Sequence, residues 1–198
     1  MKATARELFD LHVHGDGSAD SRLSTKRAIA RARELGLRGL AFTDHDRLTL
    51  LESPYNDFVL VPGAELSTEW GDLLALGISE LPPAGLPVPE LIDDIHDQGG
   101  VAVVPHAFSG ELAHICMNGR VFEVIGVIDG LEVTSPKRSV DNAKARRVAR
   151  ENGKAQIGGS DAHSVEDLGR GLTACDGATV EGLLEAIRKG RTEAFARQ

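Results

Sequence analysis

The chain has 198 residues, with 22 Lys and Arg against 30 Asp and Glu, and its formal net charge of −8 argues against broad electrostatic adhesion to a long polyanion or an anionic membrane. Hydrophobic residues make up 41% and charged residues 26%, which excludes a disordered tail or a low-complexity polymer and favours one domain over residues 1–198 with a real core. Cys116 and Cys175 are far apart and form no C-x-x-C motif, so neither a disulfide framework nor a zinc ribbon is readable, and a reducing cytoplasm is the expected location. Residues Met1 to Leu8 carry charges at Lys2, Arg6 and Glu7 and lack the apolar stretch of a signal peptide. No run reaches the ~18 apolar residues of a spanning helix, so a soluble protein with no membrane partner is expected.

Short apolar runs alternate with helical periods along the chain. Phe9–His14 is the first predicted strand. Ser24 or Thr25 then caps a helix with Ala28, Ile29, Ala32 and Leu35 at helical spacing, which Gly36 stops in the left-handed conformation. Strands follow at Gly39–Thr43, Val59–Val61 and Leu73–Gly77. Leu81–Pro89 reads as an exposed connector, because its prolines at 82, 83, 87 and 89 cannot continue a ladder. A helix over Pro89–Gln98 carries Leu91, Ile92 and Ile95 on one face, ahead of Gly99 and Gly100, and the strand Val101–Val104 follows it. Phe108–Arg120 has no clear period and is expected to form a loop over the site. The remaining predicted elements are a strand at Gly130–Val133, a helix over Ser139–Asn152 before Gly153, a strand at Gln156–Gly159 and a helix over Val180–Lys189 before Gly190. Strands alternating with helices in this way predict an α/β fold with a mainly parallel sheet, open or closed into a barrel.

The chemically informative residues stand at the ends of these strands. His12 and His14 in D-L-H-V-H are two apart, so the strand period puts both imidazoles on one face. Asp161 and His163 in G-G-S-D-A-H repeat the spacing. His45 closes T-D-H, Glu65 closes P-G-A-E and His106 closes V-V-P-H. Strand C-termini of a parallel α/β fold converge on one rim, where active sites are found. Imidazoles and carboxylates without thiolates suit zinc, iron or manganese. A lone histidine at a strand end is more often a hydrogen-bonded structural residue than a ligand, but five so placed point to metal binding. His96, in a helix, reads as a solvated residue, and His114, in a loop, as either substrate-facing or merely exposed, the second being favoured.

In order and spacing these motifs resemble the polymerase and histidinol phosphatase (PHP) family over residues 9–195. The resemblance rests on D-L-H-V-H at 10–14, A-F-T-D-H-D at 41–46, P-G-A-E-L-S-T at 62–68, P-H at 105–106, D-G-L-E-V at 129–133 and G-G-S-D-A-H at 158–163. It implies a distorted (βα)7 barrel with a metal site at the strand C-termini, two or three divalent ions (Mn, Zn or Fe), and phosphoester hydrolysis by a metal-bridging hydroxide with Glu65, His45 and His163 nearby. Carried over, His12, His14, Glu65 and Asp161 would hold one ion, Glu65 would bridge to a second ion bound by His106, and Asp20, His45 and His163 would hold a third. Family members place an acidic or histidine ligand five or six positions after the second histidine. Here Ala19 stands at five and Asp20 at six, with Asp16 a nearby alternative. Many relatives have a histidine where G-D-L-L-A-L-G places Asp72, and a carboxylate there favours harder ions such as manganese.

Phosphate recognition needs cations on the same rim. Arg22, Lys137 and Arg138 are best placed, with Arg47 and Arg170 behind them. No cap domain is inserted between Asp72 and His106, so an open site taking a small phosphomonoester or nucleotide is expected, with long nucleic acid disfavoured. Two other readings remain at this stage. An amidohydrolase would also use an H-x-H pair, but it wants a bridging lysine mid-chain, and none occurs between Lys26 and Lys137. A non-catalytic metal-binding or regulatory module is the other.

Overall fold

The structure, a computed structural model, describes residues 6–197. Its elements in chain order are β1 (Glu7–Val13), α1 (Thr25–Glu34), β2 (Gly39–Phe42), β3 (Val59–Val61), β4 (Gly63–Thr68), β5 (Gly71–Leu76), α2 (Val88–Asp97), β6 (Val101–Val104), α3 (Val121–Val124), β7 (Gly130–Glu132), α4 (Asn142–Glu151), β8 (Ala155–Ile157), β9 (Gly171–Cys175), α5 (Val180–Arg188) and β10 (Glu193–Ala196). Side-chain caps start three of the longer helices: Ser24, Asp141 and Thr179 accept from the backbone N–H groups of Arg27, Lys144 and Gly182. The start of α2 instead has Pro89 in its first turn, where a missing N–H is harmless, so the proline-rich connector ends before Val88 rather than at Pro89.

The strands form two five-stranded sheets, β10-β9-β1-β2-β3 and β4-β5-β6-β7-β8. The fold is therefore mixed α/β, but the expected seven-stranded, mainly parallel (βα)7 barrel is not what the described residues show. Four of the eight strand pairings are antiparallel: β1 with β9, β9 with β10, β4 with β5, and β5 with β6. The physical reason is local. Thr68 and Gly71 pair across a tight hairpin, and Gly71 sits at φ +116°, a conformation open to glycine, so no crossover helix separates β4 from β5. β4, β9 and β10 went unrecognised in the sequence because G-A-E-L-S-T, G-L-T-A-C and E-A-F-A show neither a clean alternation nor an unbroken apolar run.

The sheets meet through single bridges, His45 with Glu65 and Thr49 with Gly63 on one side and Val13 with Ala162 near the other. Between them lies an apolar interior of Phe9, Leu11, Val61, Leu74, Leu76, Val101, Val103 and Ile157. Leu183, Leu184 and Ile187 of α5 close it at the end where β5 stops and β6 starts. Outside, α1 packs Ala28, Ile29 and Ala32 on β1 and β2. Similarly, α2 buries Val88, Leu91, Ile92 and Ile95, each contributing about 2 kcal/mol. With α5 sealing one end, the polar cluster described below occupies the other.

Asp10 ties the two ends of the chain together beneath that cluster. Its fully buried carboxylate accepts from Ser160 N (2.9 Å), Ser160 Oγ (2.5 Å) and Gly169 N (2.8 Å). Burial pushes its pKa up to about 6, although these donors oppose the shift. Asp10→Ala leaves three buried donors without an acceptor. We expect it to cost about 3 kcal/mol in urea unfolding with an unchanged m-value; wild-type stability would show that the contacts are replaced by water.

Candidate metal centre

Six strands and the loops that follow them deliver the cluster. His12 lies within β1 and His14 just past its end, and their ring centroids are 5.2 Å apart, as the period of two requires. His45 follows β2, His106 follows β6, and Asp161 and His163 lie in the loop after β8. Glu65 stands inside β4 rather than closing a strand. Asp72 opens β5, which runs the opposite way, so the site is not built from strand C-termini alone.

Glu65 is the hub. Its Oε2 lies 3.3 Å from His12 Nε2, 3.2 Å from His14 Nε2 and 3.3 Å from His45 Nδ1, while Oε1 lies 3.1 Å from His106 Nε2. Asp161 Oδ1 is 3.2 Å from His14 Nε2 and 3.7 Å from His12 Nε2. On the outer side, Asp20 Oδ2 is 3.1 Å from His163 Nε2 and 3.5 Å from His45 Nε2. Asp72 Oδ2 is 3.9 Å from His106 Nε2. All nine sequence-predicted metal residues are thus brought together, in four overlapping sets of potential ligands: His14, Asp20, His45 and His163; His12, His14 and Glu65; His12, His106 and Asp161; Glu65, Asp72 and His106. Asp16 stands apart, its carboxylate accepting from Thr25 N at 2.8 Å at the start of α1.

These groups fit a cation better than they fit one another. His12 Nε2, His14 Nε2 and both carboxylate oxygens of Asp161 are buried without a hydrogen-bond partner, although Lys137 Nζ forms an ion pair with Asp161 Oδ2. Buried polar atoms are rarely left so, and a converging set of imidazole nitrogens and carboxylate oxygens suits a divalent metal. The far side of each ring is occupied. His12 Nδ1 is 3.2 Å from Glu132 Oε1, His14 Nδ1 is 3.0 Å from Ser18 Oγ, and His163 Nδ1 is 3.0 Å from the Asp161 carbonyl. With Nδ1 donating, a neutral ring would offer its Nε2 lone pair to a bound ion, whereas a protonated ring donates from Nε2 to Glu65 or Asp161.

The charges follow from this crowding. Burial opposes ionisation of Glu65, but His12, His106 and His14 hold its carboxyl well below the usual carboxylate range. Asp161 is depressed likewise, its burial outweighed by His12, His14 and Lys137. Asp72 goes the other way, pushed up to about 7 by burial and then by the charge of Glu65. His106 is raised to about 9 against its own burial, through Cys116 and Glu65.

Of the predicted phosphate contacts, only Lys137 enters the cluster. Arg22 and Arg138 are exposed, and among the described residues their side chains make no ion pair or hydrogen bond; Arg170 pairs with Asp167. The segment 108–117 does cover one flank, since Ile115 O accepts from Asp72 N and Cys116 Sγ lies 3.7 Å from His106 Nδ1. His96 bonds Asp129 at 2.8 Å, and His114 is exposed.

Several supporting residues escaped the sequence reading. Glu132, fully buried, orients His12 through Oε1 and accepts His106 N at 2.9 Å through Oε2. Asp44, also buried, accepts from Gly15 N at 2.7 Å and Thr49 Oγ1 at 2.6 Å, and so fixes the loop that carries Ser18 and Asp20. Gly17 packs so closely there that a Cβ would lie 2.3 Å from Asp44 Oδ2. The available signal was a carboxylate set inside an apolar strand run, D-G-L-E-V, a place that burial forbids unless the charge is used. Strain gathers here as well: of the non-glycine residues at positive φ, His106 (30°) and Asp161 (49°) are in the cluster and Asp46 (48°) adjoins His45.

Comparison with known proteins gives the same picture. A sequence model described as "PHP domain" matches residues 10–154, and one described as "PHP-associated" matches residues 140–192. Uncharacterized protein MJ1587 of Methanocaldococcus jannaschii is 30% identical over 142 residues, covering 63% of this chain and 79% of its own. Among solved structures, a two-domain protein of Bacteroides vulgatus containing a predicted PHP-like metal-dependent phosphoesterase superposes with a TM-score of 0.79 at 18% identity. The match covers 97% of this chain and 65% of that one, so this chain spans under two thirds of it. PsfC of Pseudomonas syringae superposes with a TM-score of 0.75 at 19% identity, over 98% of this chain and 92% of its own. At such identities the likeness is one of fold.

Glu132 gives a direct test of the cluster as a metal centre. Glu132→Gln keeps the shape but loses the charge behind His12. Titration calorimetry with Mn²⁺ or Zn²⁺ should show affinity lower by about 10- to 100-fold with the fold intact. Unchanged affinity would remove Glu132 from the site.

Proposed function

The chain belongs to the PHP domain family, and from that premise we propose that it is a metal-dependent phosphoesterase hydrolysing a small phosphomonoester or nucleotide. The observation that carries this reading is that His12 Nε2, His14 Nε2 and Asp161 Oδ1, all buried and without a hydrogen-bond partner, converge around Glu65.

His12, His14, Glu65 and Asp161 would hold one ion, Glu65, Asp72 and His106 a second, and Asp20, His45 and His163 a third, from manganese, zinc or iron. Divalent ions bound there supply an acidified water as nucleophile and positive charge for the phosphoryl oxygens. The chain's own part is positional. Glu65 offers one oxygen to His12, His14 and His45 and the other to His106, which suits a bridging carboxylate. Glu132 and Ser18 fix the ring orientations from behind. Lys137, about a third exposed, stands between Asp161 and solvent and is placed to neutralise a phosphoryl oxygen. Arg22, whose backbone N–H donates to the His163 carbonyl, and Arg138, next to Lys137, add two exposed cations on the same side.

The remaining expectations fit this reading. Residues 73–105 hold β5, the connector, α2 and β6, leaving no room for a cap, so we read the chain as one uncapped PHP unit with an open mouth. The net charge of −8 favours a small substrate over long nucleic acid. No helix among the described residues is long and apolar enough to cross a membrane. Cys116 and Cys175 are both free and buried, which suits a cytoplasmic location.

Protein loaded in turn with Mn²⁺, Zn²⁺ and Fe²⁺ should release phosphate from p-nitrophenyl phosphate or a nucleoside monophosphate, and chelation should abolish the release. A loaded sample inert towards monoesters, a bis-ester and nucleotides would overturn the assignment in favour of a non-catalytic metal-binding module. His14→Ala and Asp161→Ala should lose both activity and bound metal, as read by phosphate assay and elemental analysis. Lys137→Met should keep its metal but lose about 10- to 100-fold in kcat/KM, with partial rescue by Lys137→Arg. A Lys137→Met enzyme of wild-type efficiency would place the phosphoryl group elsewhere.

A further inference from the structure

Three of the clustered rings are braced from behind by oxygen. His12 Nδ1 faces the Glu132 carboxylate, His14 Nδ1 the Ser18 hydroxyl and His163 Nδ1 the Asp161 carbonyl. His106 differs. Its Nε2 faces the cluster, 3.1 Å from Glu65 Oε1 and 3.9 Å from Asp72 Oδ2, so Nδ1 is the nitrogen that needs a partner on the far side. The group found there is the thiol of Cys116, with Sγ 3.7 Å from His106 Nδ1. His106 is 1% exposed and Cys116 2%, so solvent does not reach this contact. Glu132 accepts only from the backbone N of His106, which leaves the ring itself to Cys116.

The same short segment holds the neighbouring ligand. Ile115 O accepts from Asp72 N at 2.8 Å, which fixes the start of β5 where Asp72 stands. Gly71 lies so close to this segment that a Cβ would be 2.8 Å from Ile115 O, Cys116 C and Met117 N. Asn118 closes the segment. Its N donates to Ala107 O (2.9 Å) and its Nδ2 to Cys116 O (3.1 Å), while its Oδ1 accepts from Ser109 N (3.0 Å). It does so at φ 49°, a left-handed conformation that asparagine tolerates better than most residues. Residues 115–118 thus form a strap that touches Asp72 and His106, and among the described residues its hydrogen bonds reach no other member of the cluster.

Resting on the assignment above of a second ion to Glu65, Asp72 and His106, we infer that this strap is the positioning element for that ion, with Cys116 the residue that sets the ring of His106. An imidazole that ligates through Nε2 carries its proton on Nδ1, and the acceptor met there fixes the ring's orientation and tautomer. Thiol sulfur is a weak acceptor, so Cys116 gives His106 orientation and less added basicity than the Glu132 carboxylate gives His12. The two inner sites are therefore supported separately. Glu132 and Ser18 stand behind the rings of the first, and the strap stands behind Asp72 and His106 of the second. Loosening the strap weakens the second ion and leaves the first in place.

Titration calorimetry of the wild-type protein with Mn²⁺ should resolve more than one binding step, and His106→Ala, which removes a ligand, should mark the step that belongs to the second ion. Cys116→Ala leaves His106 Nδ1 without an acceptor and should lower the affinity of that step by about 10- to 100-fold, with the first step unchanged. Cys116→Ser, which restores a lone pair at the same place, should recover most of the loss. Asn118→Gly keeps the backbone conformation, removes both side-chain bonds of the strap and should weaken the same step. Wild-type affinity for the second ion in either Cys116→Ala or Asn118→Gly would overturn the strap assignment while leaving the metal centre intact. Equal losses at both steps, or no recovery in Cys116→Ser, would do the same by showing a general packing role. Wild-type protein that binds neither Mn²⁺ nor Zn²⁺ would overturn the metal-centre reading itself.

Discussion

A buried carboxylate must be compensated, and Glu65 is the residue around which that requirement is met. It sits almost fully out of water on β4, between two sheets that otherwise touch through isolated bridges, one of them His45 with Glu65. Removing a charge from water costs several kcal/mol unless partners of opposite sign replace the lost hydration. Four imidazoles from both sheets close on its two oxygens. The same contacts that make the carboxylate tolerable therefore join the sheets and assemble the ligand set. Fold and site share one electrostatic solution.

Behind the ligands lies a second layer with no spare volume. Glu132 reaches both His12 and the backbone of His106, Ser18 links His14 to His45 N, and Asp44 holds the loop between them. Gly159 packs against this layer so tightly that a Cβ would lie 2.4 Å from the Cβ of His12 and 2.5 Å from Glu132 Oε1. His106 and Asp161 accept positive φ as part of the same arrangement. Such strain persists only where neighbours over-determine the conformation.

The asymmetry of the site shapes its chemistry. The inner ligands are sealed by β1, β4 and the segment after β6, while His45, Asp20 and His163 face solvent beside Lys137. That exposed side, where Lys137 pairs with Asp161, is the part of the cluster nearest to solvent.

The sequence by itself determined the chemistry of the ligand set and most of the regular elements. The H-x-H and D-x-H spacings, the polar residues closing apolar runs, and the Ser24 cap with Gly36 behind it are local signals, because strand period and helix capping involve only neighbouring residues. Tertiary structure decided the rest. Whether Asp20 turns towards His163 and why Glu132 is buried depend on partners 26 to 143 residues away, and no local pattern encodes them. The two-sheet architecture belongs to that second class too, since β9 exists as a strand by pairing back onto β1 and β10 by pairing onto β9. Local periodicity names the groups, whereas the balance of burial and charge among distant segments settles where they meet.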